Sequence, residues 1–282
     1  FTLTGGVNFK WNRTEYYKQM KDLLGGDYWL DVDKYAERDF VGERVMQNNL
    51  DYYEANGHAP IIKEGDKYGY DYYAHVRNAK LWAIWNYNTG RVEGFVAGEA
   101  GYAGLWREGI YRKGSFEDNS QGASKKLNFL EYKAKGALTY KISGANALTA
   151  SVAYMQQAPS FQSSFVSPRT RNSVTPNLTP EKVFSADLTY DLHVGGFKAR
   201  VSGYYTTIED RSKVISFYDD LQATFTNFAM SNIDSRYAGV EVGFSIPLFK
   251  FLNLNGAVSY GDYRYTSNPL ITQTADTSAE IV

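Results

Sequence analysis

The residues of this sequence that could carry chemistry are few and scattered. Its three histidines, His58, His75 and His193, share no ligand spacing, and structural or solvent-facing roles are expected for them. Asp31, Asp33, Glu37 and Asp39 set carboxylates close together, but without the ordered oxygen spacing of a calcium loop they read as a solvated helix face. The chain has no cysteine, which removes a thiol nucleophile, a disulfide framework and any Cys-based zinc site. It has no G-x-S-x-G elbow, Walker loop or H-E-x-x-H motif. Gly94, Gly98, Gly101 and Gly104 fall inside a strand pattern, where glycine serves bending or close packing, not phosphate binding. Asn12-Arg13-Thr14 and Asn177-Leu178-Thr179 match the glycosylation triplet, as short patterns do by chance. No enzyme, metal or cofactor is expected.

Binding chemistry is better represented. Arg169 and Arg171 stand two apart after Pro168, on one side of an extended segment, where they either clamp an anionic ligand or form lumen ion pairs that hold a plug. Tyr28, Trp29, Tyr52, Tyr53, Phe161, Phe165, Phe217 and Tyr218 fall in loop-like stretches. Their rings suit stacking on a sugar or other organic ligand, and equally suit packing of loop on loop.

Period-2 alternation is the main signal of the elements that must position these side chains. Leu3, Gly5, Val7, Phe9 and Trp11 share one face against Thr2, Thr4, Asn8 and Lys10. Phe184, Ala186, Leu188, Tyr190 and Leu192 oppose Ser185, Asp187, Thr189 and Asp191, and Val240, Val242, Phe244 and Ile246 oppose Glu241 and Ser245. Counting similar runs gives about nine strands, many long enough to cross a bilayer at about nine to eleven residues each. Short turns at Asn88-Thr89-Gly90, Ser143–Asn146, Val194–Gly196 and near Lys250 alternate with long links at 13–71, 107–127, 157–181, 209–235 and from 262 onward. In an antiparallel meander this puts every tight turn at one end and every long loop at the other, the layout of an outer-membrane β-barrel. Lys135, Lys198, Arg200 and Glu241 fall on the polar face and are assigned to the lumen, and the aromatics at strand ends form girdles. Within 13–71, Tyr16–Leu24 and Asp31–Glu43 are expected as short helices joined through Gly25-Gly26, with irregular loop after them. A soluble sandwich or propeller would alternate too; strand length and the turn–loop rhythm favour the membrane barrel.

Composition agrees. The 282 residues carry 30 basic and 31 acidic side chains, which gives no basic excess for nucleic acid. Tyrosine is abundant at 24 residues, and aromatics make up 16% of the chain. No apolar run is long enough for a transmembrane helix, and a mean hydropathy of −0.44 fits a polar lumen with large loops. The chain opens inside a strand and closes on the polar, loop-like Thr272–Val282, so it is expected to be a piece of something longer.

Three stretches carry a resemblance to a family. FVSPRTRN (Phe165–Asn172), followed by NLTPEK (Asn177–Lys182) and FSADLTYDL, resembles the barrel of TonB-dependent outer-membrane receptors. DLLGGDYWLDVDKYAERD (Asp22–Asp39) is similar to an extracellular loop of receptors of Bacteroidetes type, and TNFAMSNIDSRYAGVEVGFSIPL (Thr226–Leu248) fits a loop descending to a G-V-E strand. The resemblance spans most of the chain. It implies active import of a bulky or scarce nutrient, with ligand held by extracellular loops and plug, energy supplied through TonB, and a surface lipoprotein as a candidate partner. Arg169, Arg171, Tyr28, Trp29, Phe161 and Phe165 are then the candidate ligand contacts, and Lys135, Lys198, Arg200 and Glu241 face plug or hydrated path. The family builds barrels of roughly 22 strands around a plug. This chain shows neither the plug nor an aromatic C-terminal strand end, and an odd, unclosed sheet leaves backbone groups unsatisfied in lipid. The expectation is therefore all-β: 1–282 as part of one outer-membrane barrel, with 13–71 a long, partly helical loop. Its partners are lipid, the rest of the barrel, the plug and the TonB complex. A passive porin is the first alternative, and a soluble extracellular glycan-binding protein the second; the substrate stays open.

Overall fold

The computed structural model describes residues 1–221 and 223–276, and all but the side chain of Asp39 within them; the end of the expected polar tail lies outside the described residues. The chain opens with β1 (Thr2–Gln19), then the short β2 (Trp29–Leu30), α1 (Lys34–Asp39), α2 (Leu50–Asn56) and β3 (Ile61–Ile62). The hairpin of β4 (Lys67–Asn88) and β5 (Val92–Gly109) follows, with β6 (Gly122–Ala123) folded back on β5. Next come β7 (Leu127–Lys141), β8 (Asn146–Gln157), α3 (Phe161–Ser164) and β9 (Glu181–Val194). The chain continues through β10 (Phe197–Asp219), β11 (Thr224–Phe249), β12 (Leu252–Tyr265) and β13 (Leu270–Ala275).

Nine long strands pair antiparallel in the order β1-β4-β5-β7-β8-β9-β10-β11-β12, as the alternation of turns and loops requires, and the sheet does not close on itself. Strand β13 continues the line of β12 along the same edge of β11: β12 pairs with Ser235–Phe249 and β13 with Thr226–Ser231.

Pairing register gathers most of the apolar alternates on one face. Across β1, β4, β5 and β7 the successive rows read Leu3–Trp85–Val96–Gly136, Gly5–Ala83–Gly98–Ala134, Val7–Leu81–Ala100–Tyr132 and Phe9–Ala79–Tyr102–Leu130. None of these four rows contains a charge. Val7 and Phe9 expose 78% and 68% of their surface, and Leu81 and Leu130 63% each, so no second sheet covers this face among the described residues. A soluble sandwich would bury these side chains in its core.

The opposite face is wired by polar contacts. Lys80 bridges Glu99 at 3.1 Å and Glu131 at 3.0 Å, and Arg200 pairs with Asp191 at 2.7 Å. Thr139–Thr149, Thr189–Ser202 and Ser185–Thr206 form hydroxyl rungs between neighbouring strands at 2.8–2.9 Å. Lys135, Lys198, Arg200 and Glu241 all lie on this face, with Glu241 level with Ser202 and Ser259. In β5, Gly94 and Gly101 are required by close approach, because a Cβ there would meet the Ala137 and Ala79 carbonyl oxygens at 2.8 and 2.6 Å. Gly98 meets nothing within 4 Å.

Four expectations are corrected. The helix expected over Tyr16–Leu24 is strand as far as Gln19, because Tyr16 and Tyr17 continue the ladder opposite Tyr72 and Asp71. The helix expected over Asp31–Glu43 shortens to Lys34–Asp39, started by Asp33, whose side chain accepts from the Tyr35 and Ala36 amides. A second helix, Leu50–Asn56, stands where irregular loop was expected; Asn49 caps its start and Gly57, at φ 77°, ends it. The links at 209–235 and from 262 onward are strand for most of their described length. In the first of these links Asp210 and Asn232 adopt left-handed φ of 59° and 56°. Each bulge shifts the alternation by a residue, which is why the sequence there reads as loop.

Candidate functional site

At the end of the sheet opposite the tight turns, the long loops fold over the polar face. Leu105 and Leu127 of the sheet and Phe165 of the 157–181 loop form a buried cluster, with Val76 and Phe161 packed against it. Arg107, on β5, is the polar centre of this packing and is 2% exposed. Its guanidinium donates to the carbonyls of Pro168 at 2.6 Å and Ser120 at 2.7 Å and to Asn172 Oδ1 at 2.5 Å. One strand residue thereby ties together two loops that the sequence separates. A buried cation is tolerated when several carbonyls accept from it.

Pro168 sits in a tight turn closed by the Thr170 and Arg171 amides donating to the Ser167 carbonyl at 3.1 and 3.0 Å. Proline's fixed φ suits the second position of such a turn. The segment is thus folded rather than extended, and the two arginines part company. Arg169 lines a cavity, whereas Arg171 is 1% exposed with its guanidinium 4.6 Å from the Phe116 ring centre.

That cavity, of about 870 Å³ and open on one side to solvent, is bounded by the 13–71 loop, the upper ends of β1 and β4, the Pro168 turn and the β10–β11 hairpin. Tyr16, Tyr68, Tyr70 and Tyr72 form its floor from the strands; Tyr28, Trp29 and Tyr35 approach from the loop, and Phe225 from the hairpin. Two cations share one ring: the Lys18 amine is 5.4 Å from the Tyr70 centre and the Arg169 guanidinium 5.6 Å from it. Burial, and then the neighbouring Arg169 charge, holds the Lys18 ammonium below the usual lysine range. Burial pushes the Tyr72 hydroxyl up to about 12.

Behind the wall runs a relay of buried polar groups. Lys113 donates to Asn48 Oδ1 at 2.8 Å, and Asn48 donates to Asp31 Oδ1, also at 2.8 Å. The Gly69 amide donates to the same Asp31 oxygen at 2.9 Å. Desolvation raises the Asp31 carboxyl and lowers the Lys113 ammonium, so each charge is held at a cost that the amide bridge offsets. Asp31 is therefore a buried structural carboxylate and not part of a solvated face. Asn227 donates to Asp276 at 2.7 Å, which sets an acidic side chain on the hairpin side of the cavity.

Of the residues singled out in the sequence, Tyr28, Trp29 and Arg169 meet at this cavity. Phe165 is fully buried, and Phe161 stacks 6.5 Å from Tyr72 and lies tilted 5.0 Å from Phe165. Tyr52 faces His58, and Phe217 packs edge-on to Phe228. His75 lies 2.7 Å from Glu108 on the apolar side of the sheet, and the His193 amide joins the Ala145 turn. Lys18, Tyr70 and Asp276 were missed. The alternation through Tyr16, Lys18, Tyr68 and Tyr70 was the available signal, had the strands been carried past residue 13. The arrangement can hold a mid-sized organic molecule by ring stacking and mixed-charge contacts.

Residues 103–281 match the family model described as the outer membrane protein beta-barrel family. Comparison with curated protein sequences returns no match. Among solved structures, the copper transporter OprC superposes with a TM-score of 0.63 and 14% identity, over 96% of this chain and 37% of its own length. At that identity the likeness concerns the fold, and this chain spans little more than a third of that structure.

Proposed function

The chain belongs to the outer membrane β-barrel family and resides in the outer membrane, and from that premise we propose that it forms the ligand-receiving part of a TonB-dependent import receptor. The observation that carries this reading is the loop-bounded cavity at one end of the sheet, where Tyr70, Lys18, Arg169, Tyr28 and Trp29 converge. A passive pore needs a polar lumen but no ring-lined pocket above it. A receptor that captures a scarce nutrient does need one, and cavities of this size suit drug-sized organic ligands. Aromatic, ammonium and guanidinium groups favour an organic ligand over a bare copper ion, which selects thioether, thiolate or imidazole ligands. The polar face, with Lys135, Lys198, Arg200 and Glu241, supplies the hydrated wall against which a plug would seat.

Uptake in cells producing the intact protein tests the reading. With a panel of labelled oligosaccharides and peptides, import of the bound compound stops when TonB is deleted, while binding at the cell surface persists. Import that continues unchanged without TonB identifies a passive pore instead.

A further inference from the structure

The apolar face ends abruptly toward the loops. Above the row Phe9–Ala79–Tyr102–Leu130 comes Trp11–Arg77–Gly104–Asn128, and above that His75 lies opposite Trp106. Arg77 is exposed and is the first charge above the four uncharged rows. Its guanidinium lies 4.7 Å from the Trp11 ring centre and 4.6 Å from that of Trp106. The amine of Lys126, also exposed, lies 5.4 Å from the Trp106 ring.

Four other cations that the register places outward have carboxylates. Arg13 is 3.8 Å from Glu108, Lys182 is 2.7 Å from Asp210, and Arg236 and Arg264 share Asp262. Arg77 and Lys126 make no ion pair among the described residues, and Glu108, a nearby carboxylate, is already engaged by Arg13 and His75. A guanidinium over ring faces keeps its in-plane N–H donors free, in a fork that fits a phosphate. Tryptophan favours the level where acyl chains meet headgroups.

We propose that Arg77 and Lys126, framed by Trp11 and Trp106, bind the phosphate of an anionic amphiphile in the outer leaflet, whose chains lie along the apolar rows beneath. The assignment rests on membership of the outer-membrane family and the register of the sheet, and is independent of what the cavity imports.

The test uses the intact protein in a maltoside detergent, which carries no phosphate, with bound lipid counted by native mass spectrometry. Bisphosphorylated lipid A is the probe, and its dephosphorylated form and inorganic phosphate are the comparisons. Lipid A binds and the dephosphorylated form does not. The double variant Arg77→Gln, Lys126→Gln binds roughly 25-fold more weakly, the loss expected for two interfacial cations. Lys182→Gln, which removes a paired cation, leaves binding unchanged. Heat-modifiable gel mobility reports folding; if the double variant does not fold, Lys126→Gln alone gives roughly a fivefold loss. Equal binding by the double variant and the wild type overturns the proposal, as does equal binding of dephosphorylated lipid. Displacement of the lipid by inorganic phosphate shows a simple anion site and overturns the lipid assignment.

Discussion

Arg107 Nε donates to the Pro168 carbonyl across 2.6 Å, so a residue of β5 fixes the turn that presents Arg169 to the cavity. The contact is non-local, spanning 61 residues of chain. Arg107→Lys keeps the charge but cannot reach Pro168, Ser120 and Asn172 together. Leaving buried carbonyls without donors costs about 1–3 kcal/mol each. Hydrogen exchange at 167–172 should speed up and cavity ligands should bind more weakly, while heat-modifiable mobility stays that of the wild type.

Lys18 and Arg169 share Tyr70, and the lysine amine is held below its usual pKa, with burial the larger cause and the Arg169 charge the next. Arg169→Gln removes one of those causes, so the Lys18 pKa rises and its neutral fraction falls. Labelling by an amine-selective reagent near neutral pH, read by peptide mass spectrometry, should decrease at Lys18 and stay the same at Lys250 in the distant turn. An increase at Lys18 would contradict the arrangement.

Asp31 gives a pH dependence of known sign. Its folded carboxyl is raised above the ordinary 3.8 by desolvation, so the folded chain holds that proton more tightly than the unfolded one. The stabilising difference is full below 3.8 and is lost as pH rises through the raised folded value. Asp31→Asn removes this slope while an amide oxygen still accepts from Gly69. Melting curves of the two proteins should therefore diverge as pH climbs from 3.8 toward neutrality, with the variant gaining relative to the wild type.

The bulge at Asn232 requires φ of 56°, a region costly for β-branched side chains. Ser267 seals the bulge by donating to the Asn232 carbonyl at 2.7 Å. Asn232→Val should destabilise the β11–β13 pairing by about 1–3 kcal/mol, whereas Asn232→Gly is close to neutral. Proteolytic cleavage within 266–275 should rise in the first variant and not in the second.

Leu81 and Ser259 compare the two faces. Leu81, in an uncharged row, faces outward with 63% exposure, while Ser259 lies opposite Glu241 on the polar face. Leu81→Arg should cost about 2–4 kcal/mol near the bilayer midplane, whereas the polar face has no lipid penalty to impose. Refolding titrations into vesicles check the difference. Equal costs would mean that the faces are assigned the wrong way round.

The places where the sequence misled have local causes. Tyr16 and Tyr17 look helical beside a Gly-Gly break, yet they pair with β4. The αL residues Asp210 and Asn232 each slip the period-2 pattern, so a continuous hairpin looked like a 27-residue loop. The 50–56 helix had a legible signature in Asn49 and Gly57, its N-cap and C-cap.

By itself the sequence determined the nine long strands, their antiparallel order and the polarity of their faces. Those follow from alternation and turn chemistry, which act between residues near each other in the chain. Only the tertiary structure decided which groups meet. Arg169 and Arg171 look alike in sequence, but a turn at Pro168 sends one to the cavity and the other against Phe116. Arg77 looks like any strand arginine until register sets Trp11 and Trp106 beside it and leaves it without a carboxylate among the described residues. Such meetings depend on strand register and on loops folding across distant strands, so no local spacing encodes them.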